Sequence, residues 1–105
     1  MKLRYDLIPV MPLRELARTY TIGAEKYKPD DWKEKYRTTQ VYSKLMRHLE
    51  AWRGGEDQDV EGQYHLAAVA FHALTLLWLC ICRPAADDMP DRVKLPSPST
   101  PRAAR

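Results

Sequence analysis

The stretch that most restricts the fold is LAAVAFHALTLLWLCIC, residues 66–82, seventeen positions interrupted only by His72 and Thr75. A run this long exceeds an ordinary strand. As a helix it is apolar on nearly every side and must be covered by other protein. It falls just short of the roughly 20 residues that span a bilayer, lacks a flanking basic cluster and continues from a charged helix start. A buried or subunit-facing helix in an all-α bundle therefore accounts for it better than a membrane partner. The pattern predicts a helix beginning near Asp59 or Val60, with Asp59 as N-cap, and running to about Cys82. Val60, Tyr64, Ala67, Phe71, Leu74 and Trp78 form one apolar row along it, and the flanking rows are apolar too. Only the row of Glu61, His65, His72 and Thr75 is polar, and the last two read as a buried hydrogen-bonding pair.

Two further helices are predicted to pack on this one. The segment from Pro12, PLRELARTYTIGAEKY, places Leu13, Leu16, Ala17 and Tyr20 on one side with proline in the first turn, and Gly23 is positioned to end or bend it. In TTQVYSKLMRHLEAWRGG, Val41, Tyr42, Leu45, Met46, Leu49 and Trp52 share a side, with Thr38 or Thr39 to cap and Gly54 and Gly55 to stop. His48 lies on that apolar stripe. Met1 to Pro12 reads as an extended arm, and Lys28 to Arg37, which contains Pro29, reads as a loop. After Arg83 the chain holds five prolines and few large apolar residues. The expected organisation is a small helical bundle of about three to four helices over residues 1–83, followed by a Pro-rich, disordered tail over 84–105. A transient contact around Val93 to Leu95 is the tail's one structured candidate.

At 105 residues the chain holds one domain with a modest core, and 45% apolar with 30% charged residues describes a soluble globular protein. Its net charge of +3 arises from 17 basic and 14 acidic side chains, too balanced to mark a duplex nucleic-acid surface. The opening MKLRYDLIPV carries no secretory signal. Cys80 and Cys82 fall on different helix faces, so they read as reduced core or interface residues of a cytoplasmic protein.

The chemistry concentrates in GGEDQDVEGQYH, residues 54–65. One reading is a solvated turn whose acids favour a helix N-terminus, with Asp59 as cap and His65 half-buried. The other is a ligand set for a hard cation such as Mg²⁺ or Mn²⁺, with Glu61 and His65 reaching one point by their i, i+4 spacing. Coupling of the acids to histidines on a face that should be apolar favours the second. Asp57, off that row, is the first member to exclude. Lys26, Lys44 and Arg47 suit a phosphate clamp, although each alone reads as a solvated charge. Tyr27 and Trp32 suit base stacking, against simple loop packing, and His48 suits a phosphate or carboxylate contact, against a satisfied core position.

Four blocks in order carry a resemblance: KLRYDLIP (Lys2 to Pro9), GAEKYKPDDW (Gly23 to Trp32), RHLEAWRGGEDQDVEG (Arg47 to Gly62) and HLAAVAFHALTLL (His65 to Leu77). Together they resemble the phage dATP/dGTP diphosphohydrolases, often called MazZ and grouped with the MazG-like all-α nucleoside triphosphate pyrophosphatases. The resemblance covers about residues 2 to 80. It implies metal-dependent cleavage between the α and β phosphates of dATP or dGTP to the monophosphate and pyrophosphate. In phages that replace adenine with 2-aminoadenine, such an enzyme supplies dGMP and depletes dATP in the infected host's cytoplasm. Carried over by position, Glu56, Asp59 and Glu61 become catalytic metal ligands, with His65 beside them. Lys26, Tyr27, Trp32, Arg47 and His48 become substrate-binding candidates, joined by Lys44 from its place on the second helix. The EExxE…ExxD pattern of the wider superfamily is absent as written, and Asp31 stands where the family pattern has Asn.

The expected mechanism is of the two-metal type, with carboxylate-held Mg²⁺ or Mn²⁺ binding the triphosphate and activating water. The long apolar helix offers more surface than two short helices cover, so the bundle is expected to be completed as a homodimer or homotetramer. The rival expectations are a nonenzymatic nucleotide-binding module and a structural assembly protein indifferent to nucleotide.

Overall fold

The computed structural model describes residues 1–92, so Val93 to Leu95 and the remaining C-terminal positions lie outside the described residues. Four helices carry the fold: α1 (Val10–Lys26), α2 (Asp31–Lys35), α3 (Thr38–Arg53) and α4 (His65–Cys82). Among the described residues there is no strand, only an isolated antiparallel bridge between Gln58 and Tyr64. The all-α class follows the periodicity of the sequence.

Local chemistry sets most boundaries. Pro12 sits in the first turn of α1, where its missing N–H leaves no helical bond unmade. Gly23 lies within α1 and does not stop it. The stretch predicted as a loop contains α2, entered through Asp30, whose backbone is left-handed at φ 67°. Asparagine and aspartate tolerate that conformation better than other residues with a Cβ, which lets the chain turn into a helix directly after Pro29. α3 is started by Gln40, whose side-chain oxygen accepts the Arg37 N–H at 3.0 Å, rather than by a threonine cap. It stops at Gly54, with Gly55 at φ 105°.

The helix predicted to start at Asp59 or Val60 begins at His65 instead. Asp59 is the pivot of a turn: its Oδ1 accepts the Glu61 and Gln63 N–H groups at 2.9 and 3.2 Å, and its Oδ2 accepts the Gln63 amide at 2.9 Å. Aspartate competes with helical hydrogen bonding in this way, and Gly62 at φ 82° completes the loop. Glu61 and His65 are therefore not helical i, i+4 neighbours. Val60 is fully exposed instead of belonging to an apolar row.

α4 is the hub, packing against α3, α1 and α2. Of its five buried positions, His65, Ala68, Thr75 and Leu79 form one stripe with half-buried His72 between them, and Ala67 lies off it. The opposite stripe of Leu66, Leu74, Leu77 and Ile81 is open, with Ile81 70% exposed. The helix thus turns its polar groups inward and an apolar face outward, the reverse of a soluble monomer's pattern. Thr75 bonds back to the Phe71 carbonyl at 3.0 Å, not to His72 as the sequence suggested. Cys80 and Cys82 are free and exposed, which removes them from the core. Among the described residues α4 is long and apolar enough to cross a membrane by length and composition.

The core centres on fully buried Val41, Leu79 and Ala86, flanked by Tyr36, Leu76 and Trp78. Ala86 belongs to the segment assigned by sequence to the tail. Residues Pro84–Ala86 form a 3₁₀ turn, and Asp88 then accepts hydrogen bonds from the Thr39 N–H and the Thr39 hydroxyl. Packing therefore continues past the boundary expected at Arg83.

Leu79→Ala is expected to destabilise the fold by roughly 2–5 kcal/mol, whereas Val60→Ala stays within about 0.5 kcal/mol. Denaturant unfolding monitored by circular dichroism checks both, and equal effects would contradict the core described here.

Candidate functional site

A cleft of about 870 Å³ lies between the C-terminal half of α1, α2, α3 and the beginning of α4. Of the residues nominated by sequence, Lys26, Tyr27, Trp32, Lys44 and His48 all line it. Arg47 does not: it faces a separate shallow depression with Thr39, Gln40 and Ser43. Lys28 and Lys35 add two cleft cations that the sequence reading had not singled out, and Tyr20, Tyr36 and Phe71 add aromatic wall. Tyr20 and Phe71 rings meet at 4.4 Å, and Lys44 Nζ sits 4.0 Å above the Tyr36 ring. Cations beside aromatic faces are the groups that an anionic ligand with a flat ring would use, and Asp30 and Asp31 stand among them.

Behind the cleft runs a chain of imidazoles. His65 is buried, its Nε2 lies 2.7 Å from Glu56 Oε1, and its Nδ1 lies 2.9 Å from His48 Nδ1. A carboxylate only accepts, so Nε2 of His65 carries a proton. With His65 neutral, its Nδ1 accepts from His48 Nδ1–H, which leaves His48 Nε2 as an acceptor on a ring that lines the cleft. Burial lowers the His48 pKa below its usual value, and the neighbouring His65 lowers it further. His48 also stacks on His72, with centroids 5.6 Å apart.

His72, which the sequence pairs only with Thr75, lines the cleft. Burial, reinforced by His48, Lys44 and Arg47, lowers its pKa to about 4, so it is neutral near pH 7. The signal was present in the spacing of His65 and His72 on one helical stripe. Their common partner, His48, is on another helix and was invisible to that spacing.

The nominated carboxylates go to three different tasks. Glu56, mostly exposed, holds His65. Glu61 pairs with Lys26 at the cleft, and this bond raises the lysine pKa. Burial opposes ionisation of Asp59, but the bonds from Gln63 and from the Glu61 N–H outweigh it and keep its pKa below the ordinary carboxylate value. Both nitrogens of His65 are engaged, so it has no lone pair to offer a cation. Among the described residues no three His, Cys, Asp or Glu side chains converge on one ion position. As folded in this single chain, Glu56, Asp59, Glu61 and His65 do not fit a resident Mg²⁺ or Mn²⁺.

Residues 1–89 match the family model described as dATP/dGTP diphosphohydrolase, N-terminal. Comparison with curated proteins and with solved structures gave no match. The matched span includes every helix of the described residues, with the 3₁₀ turn after α4.

The depressed pKa of His72 has a defined consequence for stability. Between its folded value of about 4 and the unfolded value near 6.5, the unfolded chain binds the proton more readily. Stability is therefore lost as pH falls through that window and levels off below it. In urea titrations at about pH 7.5 and about pH 4.5, His72→Gln is expected to narrow the midpoint difference seen for the parent chain. An unchanged difference would show that His72 is not held neutral by the fold.

Proposed function

The chain belongs to the dATP/dGTP diphosphohydrolase family, and from that premise we propose that it hydrolyses purine deoxynucleoside triphosphates between the α and β phosphates. The products are the nucleoside monophosphate and pyrophosphate, and the reaction runs with Mg²⁺ or Mn²⁺. The observation that carries this reading is the cleft, in which lysines and aromatic rings surround His48, the cleft-side end of the Glu56–His65–His48 chain. Triphosphates travel as complexes of divalent cations, so the ion is required with the substrate. Among the described residues the carboxylates and His65 do not converge on a resident ion.

Lys26 and Lys44 bind phosphate oxygens, and Tyr27 and Trp32 take the base or sugar. Arg47 is a peripheral charge. A water attacks the α phosphorus and gives its proton to Nε2 of His48, while the bond from that phosphorus to the α–β bridging oxygen breaks and pyrophosphate leaves with the electron pair. The Nδ1 proton of His48 then passes to His65, and the resulting imidazolium is stabilised by Glu56 at 2.7 Å. Glu56 is thereby the carboxylate nearest the chemistry. Asp59 shapes the loop that carries it, and Glu61 holds Lys26 ready for phosphate. The place of this reaction is phage nucleotide-pool remodelling in the 2-aminoadenine DNA pathway, in the cytoplasm of the infected host.

The outward apolar stripe of α4 supports self-association as a homodimer or homotetramer, with Leu74, Leu77 and Ile81 against a second copy. A charged residue there opposes burial. Leu77→Lys is expected to reduce the mass in sedimentation velocity to that of one chain. A parent chain that already sediments as a monomer contradicts the assembly.

Incubation with each dNTP and Mg²⁺ or Mn²⁺ is expected to release pyrophosphate. Orthophosphate alone, or activity that survives EDTA, would sink the reading. Glu56→Gln should lower kcat by about 10²–10⁴-fold, the range for losing support of acid–base chemistry. Glutamine keeps an amide oxygen that can accept the His65 Nε2–H, so the fold is expected to persist with a thermal midpoint close to the parent's, which separates loss of proton transfer from unfolding.

A further inference from the structure

The outer wall of the cleft is the least supported of its sides. It is built from α2, only five residues long, which contributes Asp31, Trp32 and Lys35 to the lining. A helix of that length has almost no stability of its own. Its entry is the left-handed Asp30, and its exit is the extended pair Tyr36 and Arg37. Something outside α2 must therefore decide where Trp32 and Lys35 stand.

Two attachments join it to the far end of α4. Trp32 meets Trp78 edge to face at 5.3 Å, and Lys33 lies 5.5 Å from both ring centroids. The second attachment is polar and directional. Arg83, the residue that ends α4, sends one guanidinium nitrogen to the carbonyls of Lys33 and Tyr36, both at 3.2 Å. Carbonyls at a helix C-terminus lack partners along the chain, and that end favours a cation. The next residues fasten the same junction: Arg37 donates to the Ala85 carbonyl at 3.5 Å, and Ala86 is buried against Val41 and Leu79.

We propose that Arg83 is a positioning residue that sets the cleft's outer wall by clamping the C-terminal end of α2; this rests on the reading of the cleft as the substrate site. Arg83 does not line the cleft and acts only through Trp32, Lys35 and Tyr36. Those side chains bind substrate and transition state alike, so loosening them weakens substrate binding without slowing the chemical step.

The test compares the full-length parent with Arg83→Ala and Arg83→Lys. Amide hydrogen exchange and dNTP hydrolysis are measured on the same samples. For Arg83→Ala, KM is expected to rise on the order of tenfold with kcat within about twofold, as for loss of uniform binding. Amides of residues 31–36 should exchange faster while α3 and α4 keep their protection. Arg83→Lys should fall between, because lysine keeps the charge but its shorter side chain places the ammonium short of where Nη1 meets both carbonyls. Unchanged exchange in α2 overturns the inference, as does loss of protection throughout α3 and α4, or a fall in kcat at constant KM. A parent chain that hydrolyses no dNTP overturns the functional reading instead, and the exchange profile still decides whether Arg83 holds α2.

Discussion

His65 enters the interior with both ring nitrogens engaged, by Glu56 on one side and His48 on the other, and the remainder of the molecule is arranged around that contact. A buried imidazole without partners would be strongly unfavourable. Its position at the first turn of α4 therefore requires the preceding loop to bring Glu56 back and α3 to present His48 at the right height. The bonds that close the loop, from Glu56 N–H to the Ala51 carbonyl and from His65 N–H to the Asp57 carbonyl, meet the first requirement. Packing of α3 along α4 meets the second.

The same contact determines which face of α4 is left over. Once His65, His72 and Thr75 point inward, the helical repeat sends Leu66, Leu74, Leu77 and Ile81 outward. The molecule thus places a polar seam inside a single chain and an apolar face where another copy can cover it. The polar seam and the open apolar face are two sides of one helix, so a change in helix rotation would disturb both.

The cleft combines parts of different rigidity. Its inner wall, on α3 and α4, is tied to the core through Val41 and Leu79. Its outer wall rests on a one-turn helix held by Arg83 and a tryptophan pair. Under the proposed function the cleft admits a nucleotide and then holds it, and such a contrast would keep the proposed proton path fixed while the binding wall adjusts.

The sequence by itself determined the helical class, the course of α3 between Thr38 and the Gly54–Gly55 stop, the apolar character of α4, and Lys26, Tyr27 and Trp32 of GAEKYKPDDW as residues that share a cleft. These are readable because helical faces repeat every three to four residues and caps act within one turn. Only the tertiary structure decided the rest. The start of α4 moved from Asp59 to His65 because Asp59 spends its oxygens on Gln63 and the Glu61 N–H. His48 joined His65 across 17 residues, Lys26 joined Glu61 across 35, and Arg83 joined Lys33 across 50. No local period encodes such pairs. They follow from which helices touch, and that is set by burial of the whole chain at once rather than by the spacing within any segment.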